Sequence, residues 1–151
     1  MHDTTTRSVP RLVIRRTLPA PRSRVFAAWT QPEQMRRWAG PDDVTVPEVE
    51  SDFRVGGAYR ITMRKPDGEV LAVRGIFREI REPERLAYTW SWEEDRPEDE
   101  IETLITVEFN ERGQETELIL TQEQFATVAS RDNHQHGWNG ALDNLATYLQ
   151  S

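Results

Sequence analysis

The sequence predicts an α+β domain: a curved antiparallel sheet of six to seven strands wrapped around one long C-terminal helix, with two short helices after the first strand. Three observations carry this. Residues 44–120 are a succession of alternating segments joined by short Gly-, Pro- and Asn-containing links, which suit an antiparallel meander and are too short for parallel crossovers. Near the end, Trp138, Ala141, Leu142, Leu145, Ala146 and Leu149 recur at helical spacing and form one apolar stripe. At 151 residues the chain is sized for one domain with a substantial core.

Taken in order, residues 1–10 read as a polar tail, and residues 11–151 as the domain. Arg11 to Leu18 has the β-branched content of an edge strand, and Pro19-Ala20-Pro21 stops it. A short helix then starts at Pro21, with Val25, Phe26 and Trp29 on one face. Thr30 is placed to cap a second helix with Pro32 in its first turn, Glu33 completing a capping box, and Met35 and Trp38 buried. Gly40-Pro41 ends it.

Val44–Val49 follows as a strand whose Pro47 demands an edge or a bulge. After Gly56-Gly57, the residues Tyr59, Ile61 and Met63 share one face against Arg60, Thr62 and Arg64, and Pro66-Asp67-Gly68 turns a hairpin. Val70–Ile80 is a longer strand containing Phe77, with a bulge expected at Gly75. Leu86, Tyr88, Trp90 and Trp92 alternate strictly, as do Ile101, Thr103, Ile105, Val107 and Phe109. Asn110–Gly113 turns the chain into Leu118 and Leu120. Asp132 or Asn133 is placed to cap the final helix, and its Gly137 and Gly140 call for a packing reason.

Composition closes several classes. There is no Cys, hence no disulfide, thiolate nucleophile or thiolate zinc site. Seven acids and one arginine fall between Glu93 and Glu102, so one loop holds nearly all of the net charge of −7 and reads as a solvated connection. The remainder is close to neutral, which argues against a nucleic-acid partner. No apolar run reaches the length of a membrane span, and the polar N-terminus lacks a signal-peptide core, which predicts a cytoplasmic protein. No phosphate-binding glycine loop or nucleophile elbow is present.

A strongly curved sheet leaves room between its concave side and the helix. The inward-phase residues Tyr59, Ile61, Met63, Phe77, Tyr88, Trp90, Trp92, Ile105, Val107 and Phe109, with His134, Trp138 and Leu142 from the helix, either fill a core or line a cavity for a small molecule.

The runs Val25-Phe26-Ala27-Ala28-Trp29-Thr30-Gln31-Pro32-Glu33 and Arg37-Trp38-Ala39-Gly40-Pro41 resemble the opening signature of the SRPBCC (START-like, helix-grip) superfamily. Within it they are most similar to the branch named after the activator of the ninety-kilodalton heat-shock chaperone ATPase. The resemblance continues through Gly56-Gly57-Ala58-Tyr59-Arg60, Gly75 to Ile80, Pro83-Glu84-Arg85-Leu86 and Tyr88-Thr89-Trp90, and closes on His134, Gly137-Trp138, Leu142, Leu145 and Tyr148-Leu149. It implies a helix-grip fold from Arg11 onward, with Trp38, Gly40 and Pro41 in a loop at one end of the cavity. Ala39 departs from the pattern, since many members carry a second Trp there.

Chemistry-bearing residues are few. His134 and His136 diverge on a helix and do not share a metal; Asp132 and His136 are spaced to pair, although Asp132 also suits a cap. No metal or cofactor is expected. Three functions follow: non-enzymatic binding of an apolar or lipid-like ligand, action on a chaperone as the branch name implies, or cyclase/hydratase-type catalysis using His134, Glu79 or a tyrosine as acid/base. The chain reads as a lone domain without the added N-terminal module of the eukaryotic co-chaperones, which weighs against the second. Edge strands such as 11–18 would allow a homodimer.

Overall fold

The computed structural model describes residues 9–151, so the expected tail lies outside the described residues apart from Val9 and Pro10. The elements are β1 (Leu12–Leu18), α1 (Arg22–Thr30), α2 (Pro32–Met35), β2 (Thr45–Ser51), β3 (Ala58–Arg64), β4 (Val70–Arg81), β5 (Arg85–Trp92), β6 (Thr103–Arg112), β7 (Glu115–Glu123) and α3 (Val128–Leu149), with a short 3-10 turn at Pro97–Asp99. The strands form one seven-stranded sheet in the order β1-β7-β6-β5-β4-β3-β2, every pairing antiparallel. Strands β2 to β7 make a continuous meander, and β1 returns to flank β7. The architecture is a helix-grip fold.

Local chemistry accounts for the links. Gly68 and Gly113 take positive φ, as the tips of the β3–β4 and β6–β7 hairpins require. The register of the edge strand β2 shifts between Thr45 and Glu48, around Pro47, which has no N–H for the ladder. In α3, Trp138, Ala141, Leu142, Leu145 and Leu149 are buried, the face the spacing marks. Arg16 of β1 ties that helix down, hydrogen-bonding the Asn139 carbonyl at 3.2 Å and pairing with Asp143 at 2.9 Å. At the far end Tyr148 lies beneath the Arg24 guanidinium, 5.0 Å from the ring centroid, and donates to Gln34.

Four expectations are corrected. Thr30 closes α1 instead of capping α2: its hydroxyl donates to the Phe26 carbonyl at 2.9 Å, and Gln31 precedes Pro32 at the start of a helix only four residues long. Trp38 therefore lies beyond α2, yet it is buried. Helix α3 begins at Val128, capped by the Thr127 hydroxyl, which accepts from the Ser130 N–H at 3.0 Å; neither Asp132 nor Asn133 is the cap. Ile101 is exposed and precedes β6.

The fourth concerns Gly75. The one-residue shift lies between Phe77 and Glu79, whereas Gly75 marks a close approach. A Cβ at Gly75 would collide with the Thr89 carbonyl and lie 2.8 Å from the Tyr59 ring. Tyr59 crosses this bare position to donate its hydroxyl to the Thr89 carbonyl at 2.5 Å, and the Ile76 N–H turns to the Thr89 hydroxyl at 2.8 Å.

The two helical glycines differ from each other. A Cβ on Gly140 would sit 3.2 Å from Pro41 Cβ, while one on Gly137 would meet only Pro41 Cγ at an ordinary 3.8 Å. Urea denaturation should therefore find Gly75→Ala destabilised by about 2 kcal/mol or more. By the same measurement, Gly137→Ala should gain up to about 1 kcal/mol of helix propensity.

Candidate functional site

Between the inner faces of β3 and β5, helix α3 and the connection after α2 lies a cavity of about 620 Å³. Strand alternation sends Ile61 and Met63 of β3 and Tyr88, Trp90 and Trp92 of β5 into one wall. Helix α1 contributes Trp29, the following connection Trp38, Pro41, Asp42 and Val44, and α3 contributes His134, His136, Gly137, Trp138 and Ala141. The connection sits close because Gly140 leaves room for Pro41 and because Asn144 donates to the Gly40 carbonyl at 2.7 Å.

All five tryptophans of the sequence line this cavity. They form one chain of ring contacts: Trp38–Trp29 at 4.8 Å between centroids, Trp29–Trp138 at 5.9 Å, Trp138–Trp90 at 5.4 Å and Trp90–Trp92 at 5.7 Å. Four of the indole N–H groups have protein acceptors. Trp38 donates to the Ala28 carbonyl (2.9 Å), Trp29 to the Tyr88 hydroxyl (3.1 Å), Trp138 to Gln122 Oε1 (2.8 Å) and Trp92 to His134 Nε2 (2.9 Å). Trp90 Nε1 is buried without a partner.

Gln122 is the residue that sequence reasoning missed. It is wholly buried, and its amide bridges the Trp138 N–H to Thr103 Oγ1 (2.9 Å), whose own hydroxyl donates to the Trp90 carbonyl at 3.0 Å. The signal was a polar residue continuing the inward phase of Leu118 and Leu120. An indole N–H only donates, so Oε1 must face Trp138 and the NH₂ must face Thr103.

His134 is held neutral. Its Nδ1 lies 2.7 Å from the Ser130 carbonyl and so carries the proton, leaving Nε2 to accept from Trp92. Burial lowers its pKa below the ordinary imidazole value, an effect opposed by the hydrogen bond to Ser130. Burial likewise raises the pKa of Tyr59 and of Tyr88, so both phenols stay protonated across the neutral range.

The remaining candidates are dispersed. Ile105, Val107, Phe109 and Leu142 are fully buried in the core and do not line the cavity. Tyr59 and Phe77 line a small recess of about 20 Å³ beside it. Trp38 and Pro41 are in the cavity wall, and Gly40 supports it through its carbonyl. Glu79 is ion-paired with Arg81 and Arg85 at 2.9 Å each, away from the cavity, and the hydrogen bond from Arg85 holds its pKa down. His136 contacts Asp42 at 3.3 Å, while Asp132 pairs with Arg131, so the expected Asp132–His136 pair does not form. Among the described residues, no three His, Cys, Asp or Glu side chains gather to hold a metal, and no helix is long and apolar enough to cross a membrane.

A second cleft, about 660 Å³, is lined by Arg60 and Arg74 together with part of the acidic loop. Arg60 and Arg74 are direct cross-strand partners, and Glu93 and Glu100 neutralise them at 2.7 Å each. The loop expected to be a solvated connection is thus pinned by two of its acids.

Residues 19–150 match the family described as Activator of Hsp90 ATPase homolog 1-like protein. A solved protein from Chromobacterium violaceum is 25% identical over 93% of this chain and 97% of its own, with a TM-score of 0.82. An uncharacterised protein from Rhizobium leguminosarum is 29% identical, covering 93% and 94%, at 0.77. The AHSA1 protein from Silicibacter pomeroyi, 23% identical over 93% and 98%, superposes at 0.82 and shares the fold. No curated protein matches.

Two expectations follow from this geometry. Replacing Gln122 by Leu orphans the Trp138 N–H and should cost about 2 kcal/mol or more in denaturant midpoint analysis at constant m-value. His134 sets a pH dependence, because the unfolded imidazole takes up its proton near pH ~6.5 and the folded one only below that. Its contribution to stability is complete above that value and is lost as pH falls through the folded pKa. Stability-versus-pH curves of wild type and His134→Gln should therefore diverge below about pH 6.5, with the slope from this residue absent in the variant.

Proposed function

The chain belongs to the Activator of Hsp90 ATPase homolog 1-like family of SRPBCC-like domains, and on that footing we propose that it binds an apolar small molecule, without catalysis, in the cavity between the sheet and α3. The observation that carries this is the tryptophan-lined cavity of about 620 Å³, within the size range of small-molecule sites.

The rings belong to the core and to the cavity at once. Trp29, Trp38, Trp90 and Trp138 are buried in the same apolar interior as Val25, Phe109, Leu118, Leu120, Leu142 and Leu145, and all four also border the open volume. Tryptophans that pack on one side and border open volume on the other offer a ligand a broad apolar surface.

The acid/base candidates also favour binding over turnover. The free lone pair of His134 is taken by Trp92, the buried phenols hold their protons, and Glu79 lies in an ion pair outside the cavity. A chaperone-directed role rests on the family's description alone, whereas the cavity rests on this chain's own residues.

Native mass spectrometry of gently purified full-length protein should detect a small-molecule adduct that is lost on denaturation. Calorimetric titration should show the neutral apolar dye N-phenyl-1-naphthylamine binding to the emptied protein. In Ala141→Phe, which puts a ring into the cavity without changing charge, affinity for the dye should fall about tenfold or more with the fold retained. An apo mass together with no dye binding by the wild type would overturn the proposal.

A further inference from the structure

The outer face of the sheet, on the side away from the cavity, is uncovered where β1, β7 and β6 adjoin. Helices α1 and α3 pack on the inner face, Phe26 against Phe109 and Trp138 against Gln122. The acidic loop meets the outer face elsewhere, at Arg60 of β3 and Arg74 of β4. Because Ile14, Leu118, Leu120, Ile105 and Val107 are buried inward, their neighbours along each strand face out.

The strand register sets these neighbours in rows. Val13, Thr121 and Thr106 form one row across the three strands, wholly uncharged, with Val13 44% exposed. Arg15, Ile119 and Glu108 form the next. The solvated face of an antiparallel sheet ordinarily alternates to polar side chains, and Val13 and Ile119 break that rule side by side.

The charges in the second row lack full partners. Arg15 is exposed and makes no ion pair among the described residues, whereas the adjacent Arg16 pairs with Asp143. Glu108 has Arg85 at 3.9 Å, but that guanidinium is bonded to Glu79 at 2.9 Å. The two opposite charges thus stand in one row, one strand to either side of β7.

This symmetry selects a second copy of the chain as the partner. With two sheets face to face and a two-fold axis along β7, β1 of each copy lies over β6 of the other. Arg15 then meets Glu108 twice and Val13 meets Thr106 twice, while Ile119 and Thr121 meet their own counterparts near the axis. Glu117 and Glu123 lie toward the ends of β7, where sheets crossing at roughly 30° diverge, and Glu117 is neutralised by Arg112 at 2.7 Å. Pairing through the open edge of β1 would instead crowd Arg11, Arg15 and Arg16 of both copies along one seam.

We propose that two copies associate sheet on sheet through this surface, by reciprocal Arg15–Glu108 pairs around a centre of Ile119 and Thr121. The contact spans three strands, on the order of 1,000 Å² in total, which places dimerisation in the micromolar range. Sedimentation equilibrium of the full chain should show a monomer–dimer equilibrium. Arg15→Glu and Glu108→Arg should each weaken the dimer about tenfold or more, because each sets like charges against each other twice. An equimolar mixture of the two variants should dimerise again, since both contacts between unlike copies are then attractive.

Should Glu108→Arg fail to fold beside Arg85, Thr121→Lys decides: it places two like charges near the axis and should abolish the dimer. A wild type that stays monomeric up to about 1 mM would overturn the proposal. A dimer indifferent to Arg15→Glu or Thr121→Lys would overturn this surface as its interface. Two weakened, folded charge variants that do not recover on mixing would overturn the reciprocal pairing.

Discussion

The Gln122 amide is the constraint on which the arrangement depends. Its oxygen fixes the Trp138 indole and its nitrogen fixes the Thr103 hydroxyl, which in turn holds the Trp90 carbonyl. Helix α3 and strands β7, β6 and β5 are thus joined through a single buried amide. Hydrophobic contact alone is non-directional and would let α3 slide or rotate on the concave sheet. A donor–acceptor relay with one satisfiable orientation fixes the height and rotation of the helix, and with them the distance between its tryptophan and those of the sheet.

The same logic explains how the open volume persists beside a close-packed interior. The helix is held off the sheet by rings whose polar edges are tethered: Trp38 to the Ala28 carbonyl, Trp29 to Tyr88, Trp92 to His134. Each tether limits the collapse of its ring into the space. On the outside, Arg60 and Arg74 face each other across β3 and β4, a like-charge juxtaposition tolerable only because Glu93 and Glu100 descend on it. The concentrated acidity of residues 93–102 is in part the counter-charge of the sheet's outer face.

The sequence was legible where period and punctuation agree. Alternation located β3, β5, β6 and β7, the 3.6-residue spacing located the buried face of α3, and Pro47 marked an edge strand. What it hid was decided by tertiary context. Thr30 and Asp132 both satisfy local capping rules, but Thr30 bonds back to Phe26 and the earlier Thr127 takes the cap of α3. Gly75 looked like a bulge because an isolated glycine in a strand usually signals one; its reason is the passage of the Tyr59 ring and the nearness of Thr89, which no local pattern encodes. At the cavity, alternation gives the direction of a side chain but not its depth. Tyr88, Trp90 and Phe109 therefore read alike, although the first two line the cavity and the third closes the core.

The tryptophan chain has an optical consequence. Each indole lies within 6 Å of another, and none lies elsewhere in the chain. Excitation absorbed by any of them can migrate among its neighbours before emission, so the set behaves as one coupled chromophore seated in one compartment. Ultraviolet emission from this protein is then a report on the state of its interior chamber, its hydration and its occupancy, and hardly at all an average over the molecule.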